Sequence, residues 1–260
     1  MCKDKKNAPI AVIDSGVGGI SVLSELLRIM PHESYIYFAD SKNAPYGVKT
    51  RDEVLAIMLE NTKILLGEGA KAIVVACNTA TSAAVRVMRE KYPSLPIVGI
   101  EPAIKPAALV CEHPTVVVMA TPLTLKEEKF KNLMDRFASD EEIIPLACPG
   151  LMEIIESGQT DGEVVDAYVR DVFAPLGDKK IDAVVLGCTH YPFVKKTLEK
   201  FLGDNVVILD GAAGTAREAK RRIEAAGLLC ESDDHRIEYL FTKENDDKEE
   251  LCKRLLSQLK

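Results

Sequence analysis

The feature that most constrains this chain is a rhythm: short runs that are apolar at nearly every position, each followed by a longer segment of helical period. The runs are IAVID (10–14), YIYFAD (35–40), AIVVAC (72–77), PIVGI (96–100), TVVVMA (115–120), EIIPLA (142–147), AVVLGC (183–188) and VVILD (206–210). A strand that is apolar at every position is buried on both faces, and when helices alternate with such strands the sheet is parallel and helix-covered. The expected fold class is therefore α/β. Four intervening segments open with the spacing of a capping box: Thr50 with Glu53, Thr124 with Glu127, Thr160 with Glu163, and Thr215 with Glu218. Gly67 and Gly227 stand where helices are expected to end.

At 260 residues the chain is long enough for one large or two modest domains. Its net charge of −7 comes from interspersed acids and bases, with no basic stripe to neutralise nucleic-acid phosphates, so no nucleic-acid partner is expected. No segment approaches the length of uncharged apolar sequence that a membrane helix needs, and MCKDKKNAPIAVID lacks the apolar run of a signal peptide. The expected compartment is the cytoplasm, with no membrane partner. The seven cysteines are an odd number without a C-x-x-C pair, which argues for reduced thiols and against both a disulfide framework and a zinc site. No metal is expected.

Two of the strands repeat each other. KAIVVACNTAT (71–81) aligns without a gap on DAVVLGCTHYP (182–192), which puts Cys77 and Cys188 at equivalent points. Either cysteine alone is most simply a small buried residue. The pair instead suggests two similar lobes, each a mainly parallel sheet flanked by helices, with a thiol at the carboxyl end of a strand in each. Ligands of open α/β sheets bind outside those ends, so the expected active site is the crevice between the lobes.

Two thiols flanking one ligand suit the inversion of a carbon that carries an acidic hydrogen. One acts as thiolate base on one face and the other as thiol acid on the opposite face, with the roles exchanged in reverse. Both cysteines precede an expected helix, where unpaired N–H groups and the helix dipole favour a thiolate. Asn78, Thr79 and Thr189 offer neutral donors to an amino-acid-sized ligand, and the helix-start amides suit its carboxylate. Asp14 has two readings, holding an ammonium or orienting a thiol on one side, capping the next helix on the other. His190 is either a proton shuttle or a hydrogen-bonded structural histidine.

IAVIDSGVGGISVLSELL, followed by YIYFAD ending in Asp40, imitates a dinucleotide-binding fingerprint. Gly16, Gly18 and Gly19 miss the G-x-G-x-x-G spacing because Ser21 takes the third place, and Asp14 would repel a pyrophosphate. The glycines fit a small anion better, and APYG (44–47) is a second turn in which Tyr46 and Gly47 grip another part of the ligand.

In order along the chain, DSGVGG, APYG, ACNTAT, GIEP, CPGLMEIIESG and LGCTHYP resemble the cofactor-independent glutamate racemases of bacterial cell-wall synthesis. The resemblance implies interconversion of L- and D-glutamate without a cofactor, with D-glutamate entering peptidoglycan. It implies that Cys77 serves the D-enantiomer assisted by Asp14, and Cys188 the L-enantiomer assisted by His190. Glu156 is implied as a further acid near the second half-site, with Glu153 close by. The implied substrate contacts are Asp14, Ser15, Tyr46, Gly47, Asn78, Thr79, Thr121, Thr189 and His190. The implied lobes are residues 1–98 plus 211–260, and residues 99–210, in a homodimer. The segment after Cys148-Pro149 departs from the usual bulky apolar pattern, and Ala120 stands where glycine is common before Thr121.

Alternatives differ in kind. An aspartate racemase commonly has an acid where this chain has His190, and a hydantoin racemase is a further relative. A non-catalytic amino-acid sensor would need neither thiol. A cysteine hydrolase would need Cys188 and His190 to face each other, which two residues at that spacing on a helix do not do.

Overall fold

A computed structural model of the protein describes residues 5–126, 132, 142–230, 235–243 and 246–259. The chain divides into two compact units: the first runs up to Glu101 and resumes at Ala212, and the second spans Pro102–Gly211.

The first unit is built on β1 (Ile10–Asp14), β2 (Tyr35–Ala39), β3 (Ala72–Val75), β4 (Ile97–Gly99) and, from the C-terminal part of the chain, β9 (Ile237–Phe241). They lie side by side in the order β4-β3-β1-β2-β9, and every pairing is parallel. β1 is central and no residue in it is more than 1% exposed, as a strand apolar throughout requires. Helix α2 (Arg51–Gly67) packs on α3 (Asn78–Lys91), while α1 (Ile20–Ile29) packs on α9 (Ala212–Ala225) and α10 (Asp246–Gln258). Val54 and Met58 of α2 and Ala84 and Met88 of α3 close over Ile13, Phe38 and Val75 of the sheet.

The second unit holds β5 (Thr115–Ala120), β6 (Glu142–Ala147), β7 (Ala183–Leu186) and β8 (Val207–Asp210), again all parallel, in the order β6-β5-β7-β8. Ile104 and Ala107 of the short α4 (Ile104–Ala107) pack with Val116, Val118, Ala183 and Val185. Helix α7 (Glu163–Phe173) packs on α8 (Lys195–Leu202), where the Phe173 and Phe201 rings meet at 5.6 Å. Two shorter helices, α5 (Pro122–Lys126) and α6 (Leu151–Glu156), follow β5 and β6.

The two units share one wiring. In each, the first strand lies between the second and third, so β2-β1-β3-β4 has the same order as β6-β5-β7-β8. The winding direction therefore reverses between β1 and β3 and between β5 and β7, and the carboxyl ends at such a reversal are where α/β sheets take ligands. Even the bonds just past the strands match. Ala76 N–H donates to Ile13 O at 2.8 Å and Gly187 N–H to Met119 O at 2.7 Å, while Asp40 N–H and Cys148 N–H reach Asp14 O and Ala120 O at 2.9 and 3.0 Å.

Several expectations are corrected. The Thr50–Glu53 box forms, with Glu53 N–H donating to Thr50 Oγ1 at 3.3 Å and Thr50 N–H to Glu53 Oε2 at 2.8 Å. The Thr160–Glu163 box does not: Gly162, at φ 86°, turns the chain straight into α7, and Glu163 becomes its first residue. Thr215 lies buried inside α9, which starts three residues earlier at Ala212, so it caps nothing. Glu127, the partner proposed for Thr124, lies outside the described residues. Gly67 is the last residue of α2, and Gly69, at φ 85°, takes the left-handed conformation instead; Gly227 takes it after α9 at φ 68°. Strand β9 went unrecognised because Glu238 interrupts its short apolar run, and all five of its residues are half-buried.

Candidate active site

The first half-site gathers at the ends of β1 and β3. Asp14 closes β1, is 1% exposed, and accepts the Gly16 N–H through Oδ1 at 3.0 Å. It therefore orders the glycine turn, while the cap of α1 is Gly19 without a side-chain bond. Gly19 has to be glycine, since a Cβ there would stand 2.8 Å from the Asp14 Cβ and 3.1 Å from that of Ala76. Ser15 is buried in the same turn.

Cys77 is the N-cap residue of α3. Its backbone is extended (φ −73°, ψ 125°), and its carbonyl takes the first helical bond from Thr81 N–H at 2.9 Å. The next residues, Asn78 and Thr79, form the first helical turn and are 7% and 5% exposed. The buried Oδ1 of Asn78 has no hydrogen-bond partner among the described residues. A buried amide oxygen left without a donor is costly, and a ligand N–H is the natural group to satisfy it. The amides of this first turn and the positive end of the helix dipole favour an anion at the same place.

Tyr46 and Gly47 lie in a single 3-10 turn, Tyr46–Val48. The Tyr46 side chain points inward: its hydroxyl donates to Asp40 Oδ2 at 2.6 Å and accepts from Asn61 Nδ2 at 3.3 Å. Burial, then the Asp40 charge, pushes the phenol far above its ordinary pKa, so it stays protonated. With that hydroxyl committed to Asp40, what the turn offers a ligand is its backbone.

The second half-site gathers at the ends of β5, β6 and β7. Gly187, the residue before Cys188, lies so close to the neighbouring strand that a Cβ would stand 2.7 Å from Met119 O. After Cys188 the chain makes a turn and one 3-10 stretch, Tyr191–Val194, before α8 begins at Lys195. The expected helix start immediately behind this cysteine is thus absent. Pro192 sits in the first turn of the 3-10 stretch.

That turn changes what Cys188 can meet. Its Sγ lies 3.7 Å from His190 Nδ1, and His190 Nε2 lies 2.8 Å from Glu156 Oε1. The expectation that residues 188 and 190 cannot face each other assumed a helix, and it is corrected by the turn. Glu156, the last residue of α6, is the acid on the imidazole, and Glu153 is one turn away from it. His190 is 1% exposed. Burial alone would favour the neutral imidazole, but the hydrogen bonds to Cys188 and Glu156 outweigh it and lift the pKa well above 6.5. The histidine holds a proton between a sulfur and a carboxylate, the arrangement of a base that is oriented and recharged by a third group.

Thr189 is buried beside Cys188. Thr121 follows β5, and its hydroxyl serves α5: it accepts Thr124 N–H at 3.2 Å and pairs with Thr124 Oγ1 at 2.9 Å.

Two residues that sequence reasoning set aside belong to this architecture. Asp40, read as part of a false fingerprint, follows β2 and anchors Tyr46. Cys148, to which sequence reasoning assigned no role, stands at the equivalent point after β6, where its carbonyl accepts the Tyr191 hydroxyl at 3.2 Å. Burial, reinforced by the neighbouring Cys188, pushes the Cys148 thiol up to about 12. Position after the second strand of each repeat is the signal that links them. Among the described residues no group of three or more His, Cys, Asp or Glu side chains is arranged to hold a metal ion, and no helix is long and apolar enough to cross a membrane.

Each α/β unit carries a cysteine just past an equivalent strand end, and residues 10–219 match the Asp/Glu/Hydantoin racemase family; the chain belongs to that family. Its relatives are more specific. The glutamate racemase of Clostridium perfringens is 53% identical over 232 residues, covering 89% of each chain. The Escherichia coli glutamate racemase, solved with L-glutamate and the activator UDP-MurNAc-Ala, superimposes with a TM-score of 0.86 at 30% identity, over 97% of this chain and 95% of that one. The Francisella tularensis glutamate racemase, solved with D-glutamate, gives 0.84 at 27% identity, over 97% and 94%.

Proposed function

We propose that the protein is a glutamate racemase that inverts Cα of glutamate by a two-base transfer between Cys77 and Cys188, without a cofactor. The observation that carries this reading is the Cys188–His190–Glu156 line, 3.7 Å and 2.8 Å long, at the strand end that repeats the one bearing Cys77. Family membership and the relatives that bear the name support the substrate.

In the L-to-D direction Cys188, as thiolate, takes the α-proton: the C–H bond breaks, an S–H bond forms, and the electron pair stays on Cα, delocalised into the carboxylate. Cys77 gives its thiol proton to the opposite face, and the new C–H bond completes D-glutamate. The reverse reaction exchanges the roles. His190, held by Glu156, stabilises the Cys188 thiolate as the imidazolium, and after turnover it passes one proton to Glu156 as it takes up the one the thiol carries; Asp14, itself an anion, orients the Cys77 thiol and accepts its proton for the reverse direction. Amides at the start of α3 and the Tyr46–Gly47 turn hold carboxylate groups, Asn78 Oδ1 accepts from the ammonium, and Ser15, Thr79 and Thr189 complete the contacts. Thr121, with its hydroxyl on Thr124, is the weakest of the proposed contacts. The D-glutamate formed would supply peptidoglycan synthesis in the cytoplasm, and the working form would be a homodimer.

The experiment is circular dichroism of L-glutamate with purified protein and no added cofactor. The parent is expected to drive the signal to zero, and Cys77→Ala and Cys188→Ala each to abolish racemisation while calorimetry still detects glutamate binding. Racemisation by either variant near the parent rate would refute the assignment.

A further inference from the structure

The residues matched by the family end at 219, yet the chain beyond them reaches into the first half-site. Asp40 is 0% exposed, and all the donors around it are neutral. Asn43 Nδ2 bonds both of its oxygens, at 3.1 and 3.0 Å; Tyr46 and Asn61 bond Oδ2 at 2.6 and 3.0 Å; and the Thr242 hydroxyl bonds Oδ1 at 2.7 Å. Thr242, the residue just past β9, also accepts Lys42 N–H at 3.0 Å and sends its own N–H to Ala39 O at 3.2 Å. It therefore braces the segment that links β2 to the Tyr46–Gly47 turn.

A buried carboxylate without a cation depends on each of its donors, because a lost one is not replaced by water and the remaining bonds weaken together. Among the described residues, Oδ1 is held by Thr242 and the shared Asn43 amide alone. Without Thr242 the carboxylate is free to rotate, and the Oδ2 that fixes Tyr46 rotates with it.

We propose that Thr242 is a positioning residue for glutamate: through Asp40 it sets where Tyr46 and Gly47 stand, which makes the C-terminal strand part of substrate recognition. The proposal rests on the racemase reading for its substrate, but its structural half can be tested separately. Thr242→Val keeps the shape and removes the hydroxyl. Amide hydrogen exchange across residues 43–49 should quicken about tenfold, the scale of one lost charge-assisted bond. The KM for glutamate should rise by a similar factor with kcat nearly unchanged, and Thr242→Ser should restore both. If valine unfolds the chain, Thr242→Cys carries the test, since a thiol fills the same space but donates weakly, and it should fall between parent and valine. Parent-like exchange and KM in a folded Thr242→Val, or in Thr242→Cys, would overturn the proposal. So would a loss confined to kcat. If the parent fails to racemise glutamate, the substrate part falls with the functional reading, and the exchange data alone decide whether Thr242 orders the turn.

Discussion

Behind Cys77 the chain runs straight into the 14 residues of α3, whereas behind Cys188 it turns back on itself and delivers a histidine to the sulfur. The backbone up to each cysteine is the same, down to the bond that the preceding residue makes to the neighbouring strand. What differs is the source of electrostatic help. The first thiol caps helix α3, whose amides follow it, and a histidine backed by Glu156 stands beside the second. A repeated fold has placed two sulfurs at equivalent strand ends with different surroundings.

The sharpest way to break the comparison is at the residues before the cysteines. Ala76 and Gly187 are equivalent, but only the second is so close to the adjacent strand that a methyl group would meet a carbonyl. Gly187→Ala should displace the Cys188 turn and lower kcat about 100-fold, as small misplacements of reacting groups do. Ala76→Gly should stay within a few-fold of the parent in the same assay.

A comparable effect should separate the proton partners. His190→Asn should cost about 100-fold in kcat, the lower end of the range for general acid–base groups, and Glu156→Gln, which acts through the histidine, only about tenfold. Because the two enantiomers are equally stable, kcat/KM must fall equally in both directions, so the asymmetry has to be sought in isotope effects. His190→Asn should enlarge the deuterium effect seen with α-deuterated L-glutamate more than with the D form, and Asp14→Asn the reverse. Equal enlargement in both variants would remove the division of labour.

The smallest effect lies in stability. The folded state keeps the Cys148 proton up to about pH 12, whereas the unfolded chain loses it near the ordinary thiol value of about 8.5. The sign follows: the contribution is intact below the unfolded pKa and lost as pH rises towards the folded one. Cys148→Ser should therefore melt with a shallower decline between about pH 8.5 and 10 than the parent.

Much of this was legible in the sequence because it rests on periodicity. The eight apolar runs announced their strands, and the ungapped match around Cys77 and Cys188 announced the repeat. What stayed hidden depended on contacts between distant parts of the chain. Strand β9 is half-buried at every position and carries Glu238, so only its neighbour β2 and the aromatic contact of Tyr239 with Tyr37 reveal it. The Cys188–His190 contact was misjudged because a helix was expected straight after Cys188, where the chain makes a turn. Asp40 was legible as an acid at a strand end but not as the group that four side chains converge on, since Thr242 lies 202 residues away. Thr121 was assigned to the ligand by resemblance alone; its local bonds to Thr124 were not legible in the sequence.

The most direct test of the two-base claim is to run the reaction from L-glutamate in D₂O and follow Cα of both enantiomers over the first few per cent of conversion. Opposed cysteines require every new D-glutamate molecule to carry solvent deuterium while the remaining L-glutamate keeps its original hydrogen. L-glutamate that exchanges its hydrogen as fast as product appears, or D-glutamate that retains it, would contradict the account.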